Sequence, residues 1–388
     1  MEQQISARLA TILAFVTSGQ QHSGKINGIG SRFALDQRET NKQLNELTPC
    51  DSLVYAFYGV QVGSSNQAKI QHYVPRFILK NFGTGKKCQV YVFDKHQEKV
   101  FTTNIRNAAT EQGFYELNVE GVIYSIEPSL GNIETEASKI LRTIVITKAL
   151  ARLSNENKWK LSEFVAVQLA RVNRIRQSIS EMNRLLEEKL RHLGADPTQV
   201  KGFDHLSDED IKAVSLDILV HYHNYVPHIF EKTWVLFETS KSNPFYTSDN
   251  PVTLQNMYDF SPRSNLGLAV KGIEIYLPIS SALTLGMFCP SYKDNLHAIY
   301  QNNALLRSRG IPEIVPPKGT KAQIDELMKG IETGAVVSTV KENVVNLNSL
   351  QIAYSSRFIY ASTDDFDLVR DMIKEDPRLK KGMHLKVS

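Results

Sequence analysis

His72 stands three residues ahead of Pro75 in Gln71-His72-Tyr73-Val74-Pro75, and Ser248-Asp249-Asn250-Pro251 follows a short apolar run far down the chain. An imidazole at the start of an apolar helix can act as a general base or a metal ligand. Asp249 could share either task by helping to activate water. Both residues also have plainer uses. His72 could cap the helix that follows it or fill a polar hole beneath a sheet. Asp and Asn side chains bond the backbone two residues on and so form turns, which Pro251 would close. Yet Ser248, Asp249 and Asn250 put three hydrogen-bonding side chains in a row, more than a turn requires, at a strand end where scaffolds present functional groups.

Gln168 and Arg171 carry a different signal. At about 100° per residue, Gln168 falls inside the apolar stripe of its helix and Arg171 on the edge. A buried amide and guanidinium must find partners or cost several kcal/mol. Glu134, beside the stripe of the preceding helix, is the expected carboxylate for Arg171. Such a pair serves equally well as a structural ion pair or as part of a site. One reading therefore makes His72, Asp249 and Glu134 catalytic, with or without a divalent cation on Asp249 and Glu134. Arg171, Gln168, Asn250 and Ser248 would then hold the substrate.

The positive charge is local. Residues 151–195 hold nine basic side chains against five glutamates, a surplus equal to the formal net charge of +4. Such a stripe could face phosphates, in nucleic acid or in another phosphate-containing ligand, or could simply be a solvated helix face. His221-Tyr222-His223 would share a metal only in a strand, because i and i+2 diverge on a helix. No phosphate-cradling glycine loop, dinucleotide fingerprint, nucleophile elbow, His-Glu-x-x-His or paired Cys-x-x-Cys is present.

The elements that must position these residues follow from periodicity. Gln89–Phe93 with Lys99–Thr103, and Gly113–Leu117 with Val122–Ile126, read as β-hairpins, the first closed by a polar turn at Lys95–Glu98. Ile133, Ala137, Ile140, Leu141 and Ile144 stripe one helix. A single long helix is expected from Asn155 to Leu193, stopped by Gly194 and Pro197. Ser207 with Asp210 marks a capping box. Short strands at Trp234–Thr239, Phe245–Thr247, Ile273–Leu277 and Leu283–Phe288 form a later meander, followed by helices near 293–307, 321–331 and 338–355, then by Phe358–Ala361 and a fraying basic tail from Pro377. The fold class is α+β: N-terminal hairpins and an antiparallel meander packed on a central long-helix bundle. Residues 1–66, with a helix near Ile5–Val16, read as an appended segment, 67–364 as one domain, and 365–388 as a C-terminal helix and basic tail. Three widely spaced cysteines fit a reducing compartment. With no apolar run long enough for a membrane span, the expected location is the cytoplasm.

On these residues the chain resembles the prokaryotic family called domain of unknown function 4238, over about residues 70–362. The likeness rests on Gln71-His72-Tyr73-Val74-Pro75 with Phe77, Leu79 and Phe82, on Ile133-Glu134, and on Gln168 with Arg171. It continues through Phe245-Tyr246-Thr247-Ser248-Asp249-Asn250-Pro251-Val252, Leu277-Pro278-Ile279-Ser280 and Asn348 ahead of Arg357-Phe358-Ile359-Tyr360. It implies no activity, only that His72, Glu134, Gln168, Arg171, Asp249 and Asn250 belong together. Two functions remain in view. A hydrolase or nuclease-like enzyme requires His72, Asp249 and Arg171 to converge on one cleft. A non-catalytic binding or sensor module, host-defence or mobile-element associated, requires them to form a closed polar network.

Overall fold

The computed structural model describes residues 70–382, apart from 86–87, 120–121, 201–202, 204, 259–265 and 311–320. The appended segment, with its expected helix near Ile5–Val16, and most of the Gly310–Gly319 loop lie outside the described residues.

The chain opens with strand β1 (Ile70–His72) and a short helix α1 (Arg76–Lys80). Pro75, at φ −61°, sits at the N-cap of α1, where its fixed backbone starts the helix without losing a hydrogen bond. Ile78 and Leu79 face the core, while Arg76 and Lys80, one turn apart, face out. The first hairpin pairs β2 (Gln89–Asp94) with β3 (Lys99–Asn104). Strand β4 (Thr110–Gln112) returns to β1, and β5 (Glu116–Val119) pairs with β6 (Val122–Ser125).

Helix α2 (Glu127–Thr147) leads into α3 (Asn155–Ala170), started by the Ser154 cap, and α4 (Asn173–His192). The expected single helix from Asn155 to Leu193 is thus two, broken at Arg171-Val172. Val172 is extended at φ −86°, ψ 150°. The two pieces have different tasks. The second half of α3 buries nearly every residue, whereas α4 buries only Ile179 and Asn183, so one straight rod could not serve both. The capping box forms as expected on α5 (Asp208–Val220), and a short α6 (Val226–Phe230) follows.

The meander lies in a five-stranded sheet ordered β12, β7, β11, β10, β9, formed by β7 (Thr233–Glu238), β9 (Thr253–Asn256), β10 (Ile273–Pro278), β11 (Leu283–Phe288) and β12 (Val337–Ser338). Only β12 against β7 is parallel. A four-stranded sheet runs β3, β2, β13, β8, where β8 is Thr247–Ser248 and β13 is Phe358–Ala361, so the strand expected at Phe245–Thr247 leaves the meander and pairs with β13 instead. Helices α7 (Pro290–Ser308), α8 (Lys321–Thr333), α9 (Lys341–Tyr354) and α10 (Asp367–Glu375) complete the described chain. Antiparallel sheets packed on helices make this an α+β fold. The main core joins Val74, Ile78, Leu79 and Phe82 to Phe164, Val165, Leu236 and Leu277, tying the first motif to bundle and meander together.

The polar turn at Lys95–Glu98 forms as expected, but Lys95 within it is completely buried. Its Nζ donates to the carbonyls of Ile352 (2.9 Å), Ser355 (2.8 Å) and Leu379 (2.6 Å), closing the C-terminus of α9. Leu379 belongs to a 3₁₀ turn over Pro377–Lys381, so the start of the basic tail is tied down rather than frayed.

Candidate functional site

The residues singled out in the sequence separate into two polar networks. The first joins β1, α2 and α3. Gln71 is fully buried and its Oε1 accepts from the Tyr115 N–H at 2.7 Å. The Tyr115 hydroxyl donates to the His72 carbonyl at 2.9 Å, and Gln168 Nε2 donates to the Tyr73 carbonyl at 2.9 Å. Arg171 donates from Nε and Nη2 to Gln168 Oε1, at 2.8 and 2.6 Å, and from Nη1 to Glu134 Oε1 at 2.5 Å. The Arg171–Glu134 pair expected from helical spacing is therefore present, with the guanidinium side chain 0% exposed and the carboxylate 28% exposed. Burial opposes the charge on Arg171, but Tyr115 and Glu134 outweigh it and hold the group more basic than usual.

His72 and Glu134 open onto one cleft of about 350 Å³, together with Arg76, Lys80, Tyr115 and Glu127. The His72 Nε2 is buried and has no hydrogen-bond partner among the described residues. Burial and then the nearby Arg76 charge lower the imidazole's pKa, so it is held neutral. The sign of the consequence is fixed. Just below the ordinary value of 6.5 the unfolded chain takes up a proton that the folded chain refuses, so acid weakens the fold through this group. His72→Gln should flatten that part of the profile. Unfolding midpoints measured from pH 7.5 to about 5 should fall less steeply for the variant than for the wild type.

The second network encloses Asp249. Its Oδ1 accepts from the Ser356 N–H at 2.8 Å, and its Oδ2 accepts from the N–H groups of Arg357 (2.7 Å) and Phe358 (2.9 Å). Burial pushes the carboxyl pKa up, against the pull of those three donors and of Lys95. Ser248 Oγ donates to Gln351 Oε1 at 2.8 Å, and Asn250 Nδ2 donates to the Tyr354 carbonyl at 3.2 Å. Every member of the Ser-Asp-Asn run thus holds α9 or the entry to β13. None of the three lines the cleft of His72 and Glu134. The expected convergence of His72, Asp249 and Arg171 on one cleft does not occur. Among the described residues no group of three His, Cys, Asp or Glu side chains is placed to hold a metal ion. The divalent-cation pairing of Asp249 with Glu134 is not formed, since Asp249 spends both oxygens on backbone and Glu134 faces Arg171.

A second, larger cleft of about 810 Å³ lies at the start of α4, between α5 and the C-terminal 3₁₀ turn. Arg174, Arg176, Arg184, Lys212 and Lys381 line it with His96, opposed by Glu181 and Asp208. Arg176 is pinned by Glu111 at 2.9 Å and by the Phe114 carbonyl at 2.6 Å, and Lys212 by the Gly113 carbonyl at 2.8 Å. Arg174 differs. Its guanidinium rests on the Tyr354 ring, 5.3 Å from the centroid, and has no carboxylate or carbonyl partner among the described residues. Burial lowers its pKa, and the fields of Tyr354, Glu181 and Asp249 offset this only in part. Gly382, at φ +84°, lets the terminal turn pass close by, because a Cβ there would stand 2.7 Å from the Ser355 carbonyl and 3.4 Å from Arg174 Nη1.

Sequence reasoning counted Arg174 among the basic surplus without separating it from solvated neighbours. No signal in the sequence could have done so, because apolar residues continue at helical spacing across the break just ahead of it. Tyr115 and Glu127 read as an ordinary strand aromatic and an ordinary helix acid, and nothing in the sequence sets them apart.

A family model described as protein of unknown function (DUF4238) matches residues 70–365. No curated protein and no solved structure matches the chain.

Proposed function

Since the chain belongs to the protein-of-unknown-function family DUF4238, we propose its function from the geometry: a binding module that takes a phosphate-bearing ligand in the cleft of Arg174. The observation that carries this reading is Arg174 itself. A cation that is largely withdrawn from water and has no ion-pair partner among the described residues is costly, and an anion entering the cleft would relieve that cost. Each charge-assisted hydrogen bond from such a group to a phosphate oxygen is worth about 1.5–3 kcal/mol. Arg176 and Lys212, anchored by their own partners, add fixed positive potential on the same wall. The motif residues support the binding reading from the other side. Arg171, Asp249, Asn250 and Ser248 spend their polar atoms on internal contacts, as structural locks do.

The hydrolase or nuclease-like alternative keeps one support. His96 lines the same cleft, and burial and the Arg357 charge hold its imidazole less basic than usual, so it is available as a proton acceptor.

One experiment addresses both. Fluorescein-labelled single-stranded and duplex oligonucleotides are titrated with the protein by anisotropy, with inorganic pyrophosphate as competitor, and the oligonucleotides are then checked for cleavage. Binding should weaken steadily with salt, as phosphate contacts require. Arg174→Ala should cost about tenfold or more in affinity. Displacement by pyrophosphate would assign the site to a compact phosphate group, and its failure to an extended strand. Intact product supports the binding module, whereas cleavage lost in His96→Ala supports the enzyme. Equal affinity of folded Arg174→Ala and wild type would sink the reading.

A further inference from the structure

The smaller cleft, between α1 and α2, has a charge layout of another kind. Arg76 and Lys80 stand one turn apart on α1 and form its cationic wall. Glu127 and Glu134 stand seven residues, two turns, apart on α2 and form the facing acidic wall. No ion pair crosses between the walls. Among the described residues Arg76 and Lys80 have no ion-pair partner, Glu134 gives only Oε1 to Arg171, and Glu127 meets the Gln71 amide. Opposite charges that share one cleft and stay apart match a ligand that carries both signs.

We propose that this cleft is a second ligand site, for a small zwitterion of the α-amino acid class. The carboxylate belongs on α1, where Arg76 presents a planar fork of donors and Lys80 a second charge. The ammonium belongs on α2. Two acceptors on that wall meet it, the Glu127 carboxyl and Glu134 Oε2, which Arg171 leaves free, with the remaining N–H turned to water. The neutrality of His72 suits this, since a protonated imidazole would repel the ammonium. Burial, with the fields of Glu134 and Glu116 against the pull of Gln71, pushes the Glu127 pKa up. Gly131, between the two glutamates, leaves open space where a Cβ would stand, room for the amino acid's side chain. At about 350 Å³ the cleft lies at the small end of ligand pockets.

The test uses the full chain and calorimetric titration with a panel of free L-α-amino acids covering acidic, basic, polar and apolar side chains. Any that binds is repeated as its C-terminal amide and as its N-acetyl derivative, each lacking one charge. At least one amino acid should bind, and each single-charge analogue should bind about tenfold more weakly or worse. Arg76→Ala and Glu127→Gln should cause losses of the same order without lowering the unfolding midpoint, since both side chains keep contact with solvent. Arg174→Ala should leave the affinity unchanged, so failure here and failure of the phosphate reading give different results. The proposal falls if no amino acid binds, if the single-charge analogues bind as well as their parents, or if Arg174→Ala removes binding that Arg76→Ala and Glu127→Gln preserve.

Discussion

Asp249→Ala should lower the unfolding free energy by about 3–5 kcal/mol, in a protein whose total is expected to be about 5–15 kcal/mol. The substitution removes the side-chain acceptor of three consecutive backbone N–H groups, those of Ser356, Arg357 and Phe358, where the chain enters β13. Buried donors without acceptors cost about 1–3 kcal/mol each, less whatever water reaches them. The loss also withdraws a negative charge from the field around Lys95. Asp249→Asn should cost less, about half. An amide oxygen placed at Oδ2 still serves Arg357 and Phe358, and only the Ser356 N–H then faces an N–H₂ group. Urea midpoints for the two variants should therefore rank wild type, Asn, Ala. Phosphate affinity per folded molecule should stay near the wild-type value in both. An Asp249→Ala protein as stable as wild type would return Asp249 to the list of candidate catalytic groups.

What could be read from the sequence divides along a physical line. Helical spacing placed Gln168 and Arg171 against Glu134, because a helix repeats at a fixed angle and a buried guanidinium demands a carboxylate; the ion pair stands at 2.5 Å. The hairpins, the capping box and the α+β class were equally legible from local pattern, as was the family likeness from its motifs. Asp249 was not. Its partners are backbone N–H groups more than one hundred residues away, and these carry no side-chain signature. Lys95 was hidden for the same reason, since its acceptors are three main-chain carbonyls gathered by α9 and the terminal turn. The break at Arg171-Val172 was invisible because apolar residues continue at helical spacing across it. That break sends Arg171 inward to Glu134 and leaves Arg174, one turn on, facing the larger cleft. One bend in the backbone thus assigns two neighbouring arginines to opposite uses.

Arg171→Met should cost about 3–4 kcal/mol, toward the lower end of what breaking a buried ion pair costs. Methionine restores much of the lost volume, so the penalty is electrostatic rather than a cavity. Gln168 Oε1 loses both of its donors in a site with no access to solvent. Glu134, at 28% exposure, can turn toward water through the smaller cleft, which keeps the figure from rising further. Arg171→Lys should fall between, because an ammonium cannot reproduce the fork that serves amide and carboxylate together. A double-mutant cycle with Glu134→Gln isolates the pair. If the bond carries the stability, Glu134→Gln should cost less in the Arg171→Met background than alone, with a coupling of about 0.5–3 kcal/mol. The loss should also loosen β1, because Gln168 is the clamp on the Tyr73 carbonyl and Arg171 holds Gln168 in place. Faster amide exchange at Tyr73 and Tyr115 would be its local mark. Should Arg171→Met unfold at the wild-type denaturant midpoint while phosphate binding disappears, the guanidinium is a ligand group and the structural lock has been misassigned.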